Sequence, residues 1–171
     1  MKTYKYLLKQ SVFSRILLAI LVGLFAKLIT LPIFIVYYYG LKFFGKTYGE
    51  LATAVASNSE AHRISVSQAI SILVLAPIIE NLVIPLIFWL CSHVYKKPIL
   101  PIFFITLLAY FYHQAGSPQI TGAVFFFCYA AFYSQCVQVV GRKESYLLTV
   151  IAHFVTNLIA FSFMMALSKG Y

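Results

Sequence analysis

Glu80 is the group with the most chemistry to offer in this chain, because residues 66–90 around it carry no other charge. The other three acidic residues, Glu50, Glu60 and Glu144, fall in polar connecting stretches. An ionisable side chain at mid-bilayer costs about 2.5–3.5 kcal/mol on insertion scales, so such groups are rare and mostly functional. Two further polar features lie in apolar surroundings: His113, and the pair His153 and Asn157. His153 and Asn157 are four residues apart and share one face of a helix. A carboxylate close to two histidines can take a proton from water and deliver the nucleophile to a carbonyl. An imidazole and a carboxamide can together donate hydrogen bonds to the developing oxyanion. Alternatively, a histidine can hold a metal while the amide orients it. The plainer readings are interhelical hydrogen bonding for the pair and an interfacial position for His113. The protonation state of Glu80 stays open, since burial and a nearby imidazolium or metal act in opposite directions.

The elements that must carry these groups are membrane helices. Of 171 residues 62% are hydrophobic and 10% charged, and the mean hydropathy is +0.89. Such a composition excludes a soluble globular domain. Five candidate spans follow, at about 15–39, 66–92, 98–113, 118–140 and 146–167, each near the length needed to cross a bilayer. None alternates with period two, so the expectation is an all-α, polytopic helical bundle and not a β-barrel. The whole chain, 1–171, reads as a single membrane domain. Pro32, Pro77 and Pro85 are expected to kink or interrupt their helices. Residues 41–65 read as a polar connection with room for a short surface helix.

The net charge of +9 does not indicate nucleic acid, because the basic residues are dispersed among short connections, where they set orientation. With the N-terminus inside, Lys2, Lys5, Lys9, Arg15, Lys96, Lys97, Arg142 and Lys143 face inward, against Lys42, Lys46, Arg63 and Lys169 outward. That imbalance favours an inside N-terminus and an outside C-terminus. Glu80 and His113 each lie sixteen residues from the Lys96-Lys97 turn, about 24 Å from that membrane face. His153 and Asn157 follow Arg142 by eleven and fifteen residues, or roughly 16–22 Å. All four are thus expected to meet in one layer.

The remaining features read more simply. Met1 to Ala26 has the basic and apolar regions of a signal peptide, but apolar character resumes after Lys27 without a small-residue cleavage site, so a retained first helix is expected. Cys128 and Cys136, eight apart on one helix, lie about 12 Å apart, beyond disulfide reach; all three cysteines, Cys91 included, read as packing residues. Trp89 and Tyr37-Tyr38-Tyr39 read as interfacial anchors. His62 and His93 read as solvated, and residues 125–132 as lipid-facing or packing aromatics. Lys27, near the middle of its helix, either snorkels or faces a watered cavity.

Order and spacing resemble the CPBP family, the CAAX-protease and bacteriocin-processing (Abi) intramembrane proteases. Their motifs are Glu-Glu-x-x-x-Arg, Phe-x-x-x-His on a later helix, and His-x-x-x-Asn on the last. They correspond here to Glu80-Asn81-Leu82-Val83-Ile84-Pro85, Ala109-Tyr110-Phe111-Tyr112-His113 and His153-Phe154-Val155-Thr156-Asn157. The resemblance covers a core of about 70–161. The second glutamate is replaced by Asn81, the arginine by Pro85 and the phenylalanine by Ala109. Glu80, His113, His153 and Asn157 remain, and these are the positions the family assigns to catalysis. The resemblance implies an endopeptidase cleaving a membrane-associated or lipidated peptide or protein. Glu80 and His113 would activate water, and His153 and Asn157 would stabilise the oxyanion. The family has also been regarded as metalloproteases, which would make Glu80, His113 and His153 zinc ligands. Small size and short loops suit a multi-pass protein of a prokaryotic inner membrane. Two rivals stand beside the protease: a non-catalytic scaffold or bacteriocin-immunity protein, favoured by the altered first motif, and a small transporter or channel subunit with a Glu/His proton relay.

Overall fold

The structure, a computed structural model, describes residues 8–43, 66–94, 97–112 and 119–168. All regular structure among them is helical, as a backbone without access to water requires. Helix α1 is Val12–Phe43. The second span is assembled from α2 (Val66–Ile70), a π-helical turn (Ser71–Leu75), α3 (Ala76–Asn81) and α4 (Val83–Ser92). Helices α5 (Ile99–Tyr112), α6 (Gln119–Val140) and α7 (Arg142–Ser168) complete the bundle. Four stretches are long and apolar enough to cross a membrane: Val12–Ile33, Val66–Ser92, Gln119–Val140 and Arg142–Ser162. The fifth expected span appears as the shorter apolar helix α5.

Several local expectations are corrected. Pro32 lies inside the unbroken α1. Pro77 and Pro85 do mark interruptions, because each removes a backbone donor and crowds the preceding turn: Pro77 follows the π-turn, and the helix breaks at Leu82, three residues before Pro85. The last helix begins at Arg142 and not near Tyr146. Its entry is a turn of one residue, Gly141, at φ 82°, a left-handed conformation that glycine adopts without strain. The Gly141 carbonyl then accepts from the Ser145 N–H at 3.1 Å and the Ser145 hydroxyl at 2.6 Å. Glu144 therefore lies in the first turn of α7 and not in a connection. Most of 41–65, with Glu50, Glu60 and His62, lies outside the described residues, as do the side chains of Tyr37-Tyr38-Tyr39.

Helix α7 is the hub, packing against α1, α6, α3, α4 and the π-turn. Helices α1 and α7 run parallel and in register. Arg15 pairs with Glu144, and eight residues further along each helix Gly23 meets Ala152. A Cβ at position 23 would lie 2.4 Å from the Ala152 carbonyl oxygen. The glycine is what permits that approach, as small residues do where membrane helices lack a hydrophobic driving force between them. Thr156 fastens the crossing, its hydroxyl lying 3.1 Å from the Gly23 carbonyl. Around it a core of Ala26, Ile84, Ile105, Tyr129, Ala130 and Tyr133 joins α1, α4, α5 and α6.

Candidate functional site

The site forms where the broken span meets α7. Pro77, Asn81 and Pro85 recur every four residues and so share one face of that span. Pro77 and Asn81 are buried, and Glu80 sits about 100° around the helix from Asn81. Its carboxylate Oε2 is 3.8 Å from His153 Nε2, with side-chain exposures of 24% and 8%. That gap exceeds a direct hydrogen bond. It also allows an oxygen atom off the line of centres to reach both groups at roughly 2.8 Å.

The imidazole is held on several sides. Tyr129 stacks on it at 5.0 Å between centroids with planes 26° apart, and Phe126 meets it edge-on at 5.7 Å. Tyr129 is itself fixed, since its hydroxyl donates to Thr156 at 2.8 Å. Residues 125–132 therefore do more than face lipid: Phe126 and Tyr129 wall the histidine. The Asn81 Nδ2 donates to the Pro77 carbonyl at 2.7 Å and lies 3.0 Å from His153 Nδ1. Asn81 Oδ1 is buried with no hydrogen-bond partner among the described residues.

Asn157 is engaged elsewhere. Its Nδ2 donates to the Ile72 carbonyl at 2.9 Å, and the π-turn explains why that carbonyl needs a donor. The Ala76 N–H, its α-helical partner, goes instead to the Ser71 carbonyl. The π-helical partner would be residue 77, a proline without an N–H. Asn157 thus supplies the hydrogen bond that Pro77 and the π-turn withhold.

Of the four expected site residues, Glu80 and His153 are brought together, and Asn157 is tied to the π-turn one helical turn along α7. His113 lies outside the described residues. Asn81 and Tyr129 were not read as site residues. The four-residue repeat of Pro77, Asn81 and Pro85 was a usable signal for the first, whereas nothing in an aromatic-rich helix singles out the second. Lys27 lies over the Phe125 ring at 5.5 Å, and Phe125 in turn stacks on Tyr129. His93 is exposed at the end of α4, its Nδ1 2.9 Å from the Trp89 carbonyl.

No group of three His, Cys, Asp or Glu residues able to hold a metal occurs among the described residues, and one nitrogen of His153 is occupied by Asn81. His113, the third residue of the expected zinc set, lies outside those residues. No family model, no curated protein and no solved structure matches the chain.

Proposed function

We propose that the chain is a multi-pass intramembrane endopeptidase of CPBP type, with Glu80 as the base that activates water. The observation that carries the reading is the approach of Glu80 to His153 at 3.8 Å, between separate helices of an apolar bundle. A water within reach of both would lose a proton to the Glu80 carboxylate and attack the scissile carbonyl, while an imidazole N–H of His153 steadies the negative oxygen. His113 would assist Glu80, as the resemblance implies. Asn157 has one amide hydrogen committed to Ile72, so most of the oxyanion stabilisation falls to His153. The substrate class is a membrane-associated or lipidated peptide or protein. The basic-residue imbalance favours an inside N-terminus, and the short connections accord with a prokaryotic inner membrane.

The test compares wild type, Glu80→Ala and His113→Ala, purified in detergent and offered candidate membrane peptides. The expected result is cleavage by wild type alone; equal activity in all three sinks the proposal. Glu80→Gln should fold normally and lose turnover.

One observation favours a second reading, a non-catalytic scaffold or immunity protein. The Asn157 amide donates to the Ile72 carbonyl left by the π-turn, and the Asn81 amide lies against His153 of α7, as interhelical glue would. On that reading Glu80→Gln leaves partner binding unchanged and no peptide is cut by any variant.

A further inference from the structure

We propose that Asn81 is the positioning residue of His153, holding its neutral imidazole as the Nε2–H tautomer so that an N–H, and not a lone pair, faces Glu80. The chain of constraint starts at a backbone carbonyl. The Pro77 oxygen can only accept, so the Asn81 atom 2.7 Å from it is the amide nitrogen. Turning the amide over would set Oδ1 against that oxygen, two acceptors in contact at a residue with no solvent exposure. An amide nitrogen carries two hydrogens and accepts none. Its second hydrogen is available to His153 Nδ1, 3.0 Å away, and Nδ1 must then present its lone pair. A neutral imidazole has one N–H, which falls on Nε2, the atom 3.8 Å from Glu80 Oε2. Stacking on Tyr129 and the edge of Phe126 hold the ring plane in which this holds.

The side chain at position 81 therefore decides whether His153 is a donor or a base. An ionised carboxylate there would accept from Nδ1–H and turn the lone pair of Nε2 toward Glu80. With asparagine, His153 is equipped to donate to a carboxylate or an oxyanion, and proton abstraction is left to Glu80. This inference rests on the proposed protease only for its effect on turnover; the tautomer itself is read without a substrate.

The experiment is ring 15N NMR of the full chain, labelled at histidine and asparagine, in lipid nanodiscs at a pH where imidazole is neutral, with His153→Gln identifying the signals. Wild type is expected to show bare Nδ1, protonated Nε2 and a through-hydrogen-bond coupling between Asn81 Nδ2 and His153 Nδ1. Asn81→Leu is expected to admit a population protonated at Nδ1. A wild type protonated at Nδ1, or an unchanged tautomer in Asn81→Leu, overturns the proposal; the wild-type spectrum suffices where the variant fails to fold. For cleavage, Asn81→Leu is expected to lower kcat by up to roughly 10²–10³-fold, the effect of losing one oxyanion donor, with KM little changed. Wild type that cuts nothing yet shows the Nε2–H tautomer sinks the enzyme and leaves the lock standing. An active wild type protonated at Nδ1 does the reverse.

Discussion

Asn157 illustrates how one side chain can belong to two accounts of the same site. Resemblance makes it an oxyanion donor, whereas its hydrogen bond to Ile72 makes it the stand-in for the N–H that Pro77 lacks. The two roles separate in a stability measurement. Asn157→Leu should cost on the order of 1 kcal/mol, the scale of interhelical hydrogen bonds in membranes. The same change in a Pro77→Ala background should cost less, because a backbone N–H at position 77 can serve the carbonyl. Reversible unfolding in mixed micelles gives the coupling directly; equal costs in both backgrounds would detach Asn157 from the π-turn. On the proposed function, Glu80→Gln should abolish turnover with an unchanged unfolding midpoint.

Among the helices, the crossing of α1 and α7 is the most sensitive contact. Gly23→Ala places a methyl 2.4 Å from a backbone oxygen that cannot rotate away, and should destabilise by about 1–3 kcal/mol as overpacking does. Thermal unfolding in detergent would measure it, and a neutral result would show that the helices separate easily. The helices themselves were legible in the sequence, because long apolar runs in lipid have hardly any alternative to helix. Their interruptions were legible only in part. Pro77 and Pro85 broke the second span, yet Pro32 did not break α1, since a transmembrane helix tolerates a proline when its freed groups find other partners. The π-turn left no mark, because a wider helix differs from an ordinary one in hydrogen bonding and not in composition. Counting residues to the membrane face set Glu80 and His153 at comparable depths, whereas their approach depends on how the helices are turned toward each other. The Asn81–His153 contact spans 72 positions and depends on how α3 turns against α7, which a periodic pattern does not specify.

At the scale of the molecule, the Arg15–Glu144 pair joins the starts of α1 and α7 at one face of the bundle. Arg15 is further engaged through its Nε, which donates to the Leu8 carbonyl at 2.8 Å. Parallel first and last described helices accord with five crossings and opposite locations for the two ends. In a bacterial host, a reporter following Ser168 should therefore score outside and one inserted at Lys97 inside. Both reporting from the same side would overturn the orientation proposed.

The register of α1 with α7 has a consequence for biosynthesis. Chains enter the membrane from the N-terminus during synthesis, so the broken span must be inserted before the helix that carries His153 has been made. Until then Glu80 sits in the lipid without its imidazole, Ile72 without its amide donor, and α1 without the surface that Gly23 was shaped to meet. All three deficits are met by residues of α7. On the proposed function, a nascent chain would therefore lack its Glu80–His153 pair until its last described helix is in place.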